Sequence, residues 1–169
     1  MRNQSDLTTG VIDFISLPNR QTKTEDFMRF VVSTDKESDR NYWNESQWSS
    51  FISQKDIVLL FFLSDIKRDE TLIGFLAARF AENFSELLKI CVLPNARNQG
   101  IGNVILAEYI DLVRAKNKDK IFLEVEVGNQ QAIYLYTKSG FSISRTRKNY
   151  YGINRDALEM VLTLKTDYS

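Results

Sequence analysis

Apolar residues recur along the chain with two periods, one typical of helices and the other typical of strands. In Thr24–Ser33 the residues Phe27, Phe30 and Val31 recur at spacings of three and one, on one helical face, which predicts an amphipathic helix. In Ile121–Val127 every second residue is aliphatic, which predicts a strand. The chain therefore combines helices with a sheet.

The same two periods divide the rest of the chain into elements. The charged segment Thr34–Arg40 lacks the helical pattern, so the first helix is predicted to end before it. The polar segment Ser64–Glu70 separates two apolar runs, which predicts a hairpin. Helices are predicted over Thr24–Ser33, Asn44–Ser53, Ile101–Asn117 and Asn129–Ser139, and strands over Val11–Ile15, Ile57–Leu63, Leu72–Phe80, Glu86–Leu93, Ile121–Val127, Phe141–Tyr150 and Ala157–Leu164.

Local signals at the helix ends support this division. Asn44 and Asn129 are predicted N-caps, because a short side-chain oxygen can accept from an unpaired backbone N–H. Gly140 is the predicted end of the last helix. The element order is β-α-α-β-β-β-α-β-α-β-β. A hairpin combined with a β-α-β crossover predicts an α/β fold with a mixed, mostly antiparallel, seven-stranded sheet and helices on both faces.

Composition limits the chemistry that the chain can perform. The chain has 169 residues, which fits a single domain over residues 1–169. It contains no His and one Cys, so a Ser-His-Asp triad, an imidazole metal site and an internal disulfide are excluded, and no metal is expected. Any general acid or base must therefore be a carboxylate, a tyrosine, a lysine or the single thiol.

Charge and hydropathy limit the expected partners. The first residues carry no apolar stretch typical of a signal peptide. The longest apolar run, Ile57–Leu63, is far shorter than the roughly 20 residues of a membrane helix. We therefore expect a cytoplasmic protein without membrane contact. The 22 Lys and Arg residues balance 22 Asp and Glu residues, which argues against nucleic acid as a partner.

A glycine-containing turn between a strand and a helix is the most specific local feature. Pro94, Gly100 and Gly102 lie between the predicted strand Glu86–Leu93 and the predicted helix Ile101–Asn117. Glycines at such a turn let backbone N–H groups approach a ligand, and the helix N-terminus favours a phosphate. The turn matches neither a Walker A loop nor a dinucleotide fingerprint. Taken alone, it is equally typical of an ordinary turn before a helix.

Three motifs in this order resemble the GNAT acetyltransferase superfamily, and the resemblance covers about Leu87–Leu164. Arg97-x-x-Gly100-x-Gly102 resembles the coenzyme A pyrophosphate loop of that superfamily. The second motif is Leu123-Glu124-Val125 followed by Asn129-x-x-Ala132-x-x-Leu135-Tyr136-x-x-x-Gly140-Phe141. The third, Arg147-Lys148-Asn149-Tyr150-Tyr151 with Asp156-Ala157-x-x-Met160, resembles the ending of one branch, the ribosomal-protein-alanine N-acetyltransferases.

The resemblance implies a site for acetyl-CoA as co-substrate. Where the strands Glu86–Leu93 and Ile121–Val127 move apart, unpaired backbone groups would bind the pantetheine arm, and the Val92 N–H would polarise the thioester oxygen. Cys91 is then a small strand residue rather than a nucleophile. The implied cofactor-binding residues are Ile90, Cys91, Val92, Arg97, Asn98, Gln99, Gly100, Ile101, Gly102, Asn103, Asn129 and Tyr136.

The resemblance also implies a catalytic pair, Glu124 and Tyr136. On residue pattern alone, Glu124 and Glu126 are more typical of solvated charges on one strand face, and Tyr136 is equally typical of core packing. The resemblance implies that Glu124 acts as a general base through water and that Tyr136 protonates the departing thiolate. Glu126 is expected to remain a solvated charge.

The segments expected to bind the acceptor lie outside the sheet. The resemblance implies that Trp43, Tyr150 and Tyr151 contact an acceptor peptide. The basic and aromatic stretch around Tyr150 could alternatively contact RNA, although such stretches are more often solvated hairpins. Before Trp43 the chain has Asn41-Tyr42 where the branch has Phe-Pro. This departure falls in the segment expected to line the acceptor site.

The function implied by the resemblance is acetyl-CoA-dependent N-acetylation of the N-terminal α-amine of a protein. The acceptor expected from the branch is an alanine-starting ribosomal protein. Two alternatives stay open from the residues. One is acetylation of a small-molecule amine or a Lys side chain, and the other is a non-catalytic module that binds coenzyme A or a protein.

Overall fold

The computed structural model describes residues 12–13, 20–38, 40–66 and 69–164. The elements follow the predicted order, and the predicted first strand, Val11–Ile15, extends outside the described residues at both ends. The strands are β1 (Ile12–Asp13), β2 (Ile57–Ile66), β3 (Asp69–Phe80), β4 (Phe84–Val92), β5 (Lys120–Glu126), β6 (Ser142–Arg147) and β7 (Ala157–Thr163). The helices are α1 (Arg20–Ser38), α2 (Glu45–Ile52), α3 (Ile101–Ala115) and α4 (Gln130–Lys138), and a short 3₁₀ turn, Pro94–Ala96, precedes α3.

The strands form one seven-stranded sheet in the order β1-β2-β3-β4-β5-β7-β6. β4 and β5 run parallel, and the other neighbouring strands run antiparallel. A parallel pair needs a crossover connection, which α3 provides between β4 and β5. The predicted mixed, mostly antiparallel sheet is therefore confirmed.

Helices cover both faces of the sheet, as the element order predicts. On one face α3 and α4 bury Ile105 and Tyr136 against the sheet. On the other face α1 and α2 bury Val31 and Trp48 against Phe75 and its neighbours. Apolar burial on both faces fixes the position of each helix relative to the strands that it crosses.

The predicted helix caps are formed. Asn44 Oδ1 accepts a hydrogen bond from the Gln47 N–H at 2.9 Å, and the Gln47 side chain accepts from the Asn44 N–H at 3.0 Å. This reciprocal capping box starts α2. Asn129 Oδ1 accepts from the Ala132 N–H at 3.1 Å and starts α4. Gly140 follows α4 with φ +94°, a left-handed conformation that glycine adopts without steric cost.

A bulge in β4 interrupts its regular pairing. Ala77 of β3 faces Lys89, whereas Ala78 faces Leu87, so Leu88 has no partner in the register. The pairing of β4 with β5 also ends at Leu87, although both strands continue beyond it. A bulge bends the strand that contains it. The bend therefore lies at the point where β4 and β5 separate.

The first helix is longer than predicted, because the charged segment does not end it. α1 continues through Ser38, and its Asp35 is fully buried. Lys89 Nζ lies 3.1 Å from Asp35 Oδ1, while Asp35 Oδ2 accepts from the Trp43 N–H at 2.8 Å and from Trp48 Nε1 at 3.2 Å. A charge facing such partners can lie on a buried helix face. The pattern of apolar residues alone therefore misplaced the end of α1.

Predicted strand boundaries also differ by three residues at two other places, the β2–β3 hairpin and the end of β6. β2 and β3 pair as far as Ile66 and Asp69, because a backbone ladder continues through polar residues that the apolar pattern assigned to the turn. β6 ends at Arg147 rather than Tyr150. Asn149 has φ +54°, and its N–H donates to the Asp156 carboxylate at 2.9 Å, so the chain turns here instead of extending.

Removing one partner of the buried ion pair should destabilise the fold. Lys89→Leu leaves the Asp35 carboxylate buried without its cation, and we expect the free energy of unfolding to fall by about 3 kcal/mol. Urea denaturation followed by tryptophan fluorescence measures this change, since Trp43 and Trp48 both contact the pair. In the double variant Asp35→Asn/Lys89→Leu the free energy of unfolding should fall by less, because no charge is left buried. A loss below about 1 kcal/mol in the single variant would show that the pair is not needed for stability.

Candidate active site

Two adjoining clefts lie where β4 and β5 diverge. The first, of ≈ 250 Å³, is bounded by β4, β5, the α1–α2 connection and the β6–β7 connection. The second, of ≈ 520 Å³, lies between the end of β4, the glycine turn and α4. Both are lined by Ser38, Ile90, Cys91, Asn129 and Ala132, so the two clefts form one continuous trough.

The end of β4 presents backbone groups to this trough. The Leu93 N–H donates to the Ile73 carbonyl of β3 at 2.9 Å. Because successive backbone N–H groups of an extended strand point to opposite edges, the Val92 N–H points away from β3. Arg97 Nε donates to the Val92 carbonyl at 2.9 Å, which holds this edge beside the glycine turn. Ile90, Cys91 and Val92, which are predicted to bind the cofactor, all line the second cleft.

The glycine turn forms the start of α3. Gly100 is the N-cap residue with φ +80°, and the next residues enter the helix. The first N–H groups of a helix have no partner within it, and the helix dipole adds positive charge there. Predicted cofactor residues that line the second cleft here are Arg97, Asn98, Gly100, Ile101, Gly102 and Asn103. The arrangement fits an anionic group such as a phosphate.

Two predicted residues of this turn have side chains committed to the protein. Gln99 lines neither cleft, and its side-chain amide donates to the Asn95 carbonyl at 3.2 Å. The Arg97 guanidinium donates to Ser38 Oγ at 3.0 Å as well as to the Val92 carbonyl. The backbone of the turn, rather than these two side chains, is therefore the better candidate for contacting an anion.

Glu124 lies on the wall of the first cleft with a side chain that is 19% exposed. Its carboxylate forms an ion pair with Arg147. Hydrogen bonding toward this carboxylate, together with burial, raises the pKa of Tyr150 above its usual value. The Tyr151 phenol donates to the Glu124 backbone carbonyl at 3.2 Å. Glu124 is thus held by Arg147 and Tyr151 of the β6–β7 region.

Tyr136 lies both in the core and on the wall of the first cleft. It belongs to the core between α4 and the sheet, where its ring centroid lies 5.7 Å from that of Phe141. It also lines the first cleft together with Glu124 and Asn129. The α4 helix thus presents a largely buried tyrosine to the first cleft.

The prediction that Glu126 is merely a solvated charge is wrong. Its carboxylate accepts two hydrogen bonds from Arg155, at 2.8 and 2.7 Å, and one from the Asn41 amide at 3.4 Å. The Arg155 hydrogen bonds lower the pKa of Glu126. A carboxyl group with a lowered pKa is a weaker base, so Glu126 fits the role of a fixed anion.

The three residues predicted for the acceptor meet at the first cleft. Trp43 comes from the α1–α2 connection, and Tyr150 and Tyr151 come from the β6–β7 connection. Trp43 is supported from behind by Trp48, whose ring centroid lies 4.7 Å away. Residues more than 100 positions apart in the sequence therefore form two walls of the same cleft.

The basic stretch on the β6–β7 region has a carboxylate partner for each cation. Arg147 pairs with Glu124, and Arg155 pairs with Glu126. The two remaining pairs, each with a shortest distance of 2.6 Å, are Arg145 with Glu159 and Lys148 with Asp156. Cations matched in this way leave little net charge for a phosphate backbone. The RNA-contact alternative therefore has little support from this surface.

Sequence reasoning missed several residues of the site. Arg147 and Arg155 appeared only as members of a basic stretch, and Asn41 only as a departure from a motif. Asp35 and Lys89 were not recognised as a pair, although a lysine between apolar neighbours in a strand could have suggested a buried partner. These contacts join residues that are distant along the chain, so no local pattern reveals them.

The described part of the chain contains neither a metal-binding cluster nor a helix that could span a membrane. There, no cluster of three or more Cys, Asp or Glu side chains is arranged to hold a metal ion. Each described helix is also too short or too polar to cross a lipid bilayer.

Comparisons with known proteins agree with the geometry. The model of the Acetyltransferase (GNAT) family matches residues 22–141. A Bacillus subtilis protein assigned to the ribosomal protein bS18-alanine N-acetyltransferases is 32% identical over 100 residues, which are 59% of this chain and 66% of that protein. The ribosomal protein bS18-alanine N-acetyltransferase of Escherichia coli is 29% identical over 125 residues, 72% of this chain and 81% of its own.

A solved structure shows the same fold over nearly the whole chain. The crystal structure of the ribosomal-protein-S18-alanine N-acetyltransferase from Escherichia coli superimposes with a TM-score of 0.76 at 20% identity, covering 96% of this chain and 99% of that one. The family match spans well over half of the chain and begins within α1, so it includes most of α1 and all of α2. The chain therefore belongs to the GNAT acetyltransferase family and is an N-acetyltransferase.

Proposed function

We propose that this enzyme transfers the acetyl group of acetyl-CoA to the N-terminal α-amine of a protein, with an alanine-starting ribosomal protein as acceptor. The observation that carries the proposal is the meeting of two clefts where β4 and β5 diverge. One leads to the anion-binding start of α3, and the other contains Glu124 and Tyr136. The names of the relatives from Bacillus subtilis and Escherichia coli support the same acceptor class.

Acetyl-CoA would occupy the second cleft and reach the first with its thioester. The pyrophosphate would accept hydrogen bonds from backbone N–H groups around Gly100 and Gly102, where a helix N-terminus favours negative charge. The pantetheine arm would lie along Ile90, Cys91 and Val92 in the manner of an added strand. The thioester end of the pantetheine arm would then lie beside the residues that line both clefts.

The proposed reaction is a direct transfer without a covalent enzyme intermediate. The amine nitrogen attacks the thioester carbonyl carbon, and the Val92 N–H stabilises the negative charge on the oxygen. The carbon–sulfur bond then breaks, and coenzyme A leaves as a thiolate. The amine proton passes through water to Glu124, while the Tyr136 phenol protonates the thiolate. Exchange with solvent returns both residues to their starting protonation states.

The surroundings of Glu124 support a fixed geometry for proton transfer. Arg147 donates to its carboxylate, and the raised pKa of Tyr150 is consistent with a phenol next to the same carboxylate. A carboxylate held in place by an arginine does not have to reorganise when the water and the amine arrive. Arg147 therefore acts through Glu124 as a positioning residue.

The chemistry favours an α-amine over a lysine as acceptor. An α-amine with a pKa of about 7.7–8.0 is roughly a tenth to a sixth neutral at pH 7, whereas a lysine with a pKa of about 10.4 is neutral less than one time in a thousand. A carboxylate acting through water is an adequate base for the first and a poor one for the second. This difference supports an N-terminal acceptor.

The proposed reaction needs no partner besides acetyl-CoA and the acceptor protein. Backbone N–H groups polarise the thioester, so the step does not require a metal. We infer that the reaction takes place in the cytoplasm, where ribosomal proteins are made, without contact with a membrane or nucleic acid.

Acetylation of a peptide panel tests the acceptor. Peptides that differ only in their first residue, each with a free and a blocked α-amine, are incubated with the enzyme and acetyl-CoA and analysed by mass spectrometry. We expect acetylation of free α-amines, fastest with alanine first, and none after blocking. Modification that survives blocking would contradict an N-terminal acceptor and indicate a lysine side chain instead.

Tyr136→Phe should reduce turnover, because it removes the proton donor for the thiolate. We expect kcat to fall roughly 10²–10⁴-fold with coenzyme A binding retained, measured by steady-state kinetics and calorimetry. Tyr109→Phe makes the same chemical change at another buried tyrosine, one that lies in α3 and lines neither cleft, and should leave kcat unchanged. A decrease below threefold in Tyr136→Phe would remove this residue from the role of acid.

Glu124→Gln should also reduce turnover, because glutamine keeps the size of the side chain but cannot take up a proton. We expect kcat to fall by roughly 10²-fold or more with acetyl-CoA binding intact. The matched control is Glu159→Gln, which removes a carboxylate that is also paired with an arginine but lines neither cleft. Equal activities of the two variants would exclude Glu124 as the base.

A further inference from the structure

The outer end of the first cleft is held together by a three-residue contact that the sequence did not suggest. Arg155, Glu126 and Asn41, here called the clamp, come from three separate segments of the chain. Arg155 Nε and Nη2 donate to the two carboxylate oxygens of Glu126 at 2.8 and 2.7 Å, and Nη2 also donates to Asn41 Oδ1 at 3.0 Å. The Asn41 amide closes the triangle by donating to Glu126 at 3.4 Å.

The clamp joins the two walls of the first cleft, which carry the residues predicted to bind the acceptor. Arg155 Nη1 donates to the Tyr151 carbonyl at 3.2 Å, so it also fixes the β6–β7 connection. Asn41 belongs to the α1–α2 connection, two residues before Trp43, and is 114 positions away from Arg155 in the sequence. A single guanidinium therefore sets the distance between Trp43 on one wall and Tyr151 on the other.

The α1–α2 connection is anchored at a second point deeper in the fold. Lys89 Nζ donates to the Asn41 backbone carbonyl at 2.8 Å, and the Trp43 N–H donates to Asp35 at 2.8 Å. This inner anchor is buried, whereas the Arg155 and Glu126 side chains are 33% and 22% exposed. The inner anchor fixes the start of the connection, and the clamp fixes where its outer side lies over the cleft.

The position of the clamp relative to the catalytic candidate indicates its role. Glu126 follows Glu124 by two residues on β5, so both side chains lie on the same strand face, roughly 7 Å apart along the strand. Glu126 and Asn41 both line the first cleft, and neither lines the second. The clamp thus lies on the acceptor side, outside the cleft proposed for coenzyme A.

We propose that Arg155, Glu126 and Asn41 are positioning residues that hold the two walls of the acceptor cleft at the spacing that the acceptor peptide requires. This inference rests on the proposed function for its effect on kinetics. The contact is bidentate and charge-assisted, which fixes geometry as well as adding energy. Loss of the clamp should weaken binding of the acceptor and leave binding of acetyl-CoA in the second cleft unaffected.

A charge reversal provides a specific test, because the Asn41 amide can serve either arrangement. In Glu126→Arg/Arg155→Glu the cation and the anion exchange places, and a flip of the Asn41 amide presents its donor and acceptor to the new partners. The single Glu126→Arg variant instead places two arginines together. The matched control is Arg145→Ala. It also removes an arginine that is paired with a carboxylate, Glu159, but neither of these two residues lines a cleft.

Two measurements are made on each full-length variant. Steady-state kinetics with the best peptide of the panel gives kcat and the KM values for peptide and acetyl-CoA. Hydrogen–deuterium exchange with mass spectrometry gives the protection of residues 40–44, and it does not depend on knowing the acceptor. We expect Arg155→Ala and Glu126→Arg to raise the peptide KM about tenfold, to change kcat and the acetyl-CoA KM by less than about twofold, and to speed exchange in residues 40–44.

The charge-reversed double variant should return the peptide KM to within about threefold of the value for the natural enzyme, and it should slow the exchange of residues 40–44 again. The control Arg145→Ala should change neither the peptide KM nor this exchange. A double variant no better than Glu126→Arg would overturn the clamp, as would faster exchange without any change in the peptide KM. If the natural enzyme acetylates no peptide, the proposed function fails, while unchanged exchange in Arg155→Ala would separately overturn the clamp.

Discussion

The separation of β4 from β5 is the constraint on which the rest of this structure depends. The two strands pair only as far as Leu87 and Leu123, and the bulge at Leu88 bends β4 at that point. Beyond this point β4 and β5 no longer pair with each other, although each keeps its other neighbour, so a ligand can enter between them. A β4 that stayed paired along its full length would close both clefts.

The bulge also determines on which face of the sheet each later side chain of β4 lies. Before it, Leu87 packs with the core under α3 and α4; after it, Lys89 and Cys91 face α1 and α2. An extra residue in a strand shifts the alternation by one position. The same feature that opens the ligand site therefore turns Lys89 toward Asp35 and forms the buried ion pair that anchors the α1–α2 connection.

The carboxylates around the first cleft are each matched by an arginine. Glu124 pairs with Arg147, Glu126 with Arg155, and Glu86 with Arg79. Paired in this way, the carboxylates exert little net attraction on a distant cation, and the arginines fix where each carboxylate lies. The cleft is thus organised to place a substrate, which agrees with an acceptor that must arrive as a neutral amine.

Much of this architecture was predictable from the sequence, because it depends on residues that are close together along the chain. The element order, the caps at Asn44 and Asn129 and the glycine turn before α3 follow from local spacing, since helices, caps and turns are formed by near neighbours. The absence of histidine by itself excludes every mechanism that depends on an imidazole. The motifs also led to the family.

Contacts between distant segments were decided only by the tertiary structure. The length of α1 depends on a lysine from β4, and the partners of Glu126 come from two connections on opposite walls of the cleft. A charged residue looks the same in the sequence whether it is solvated or paired, because its partner is chosen by the fold. The sequence alone thus determined the elements and the chemistry available to them. The divergence of β4 and β5 and the ion pairs around it determined where that chemistry meets, because both arise only when distant segments pack together.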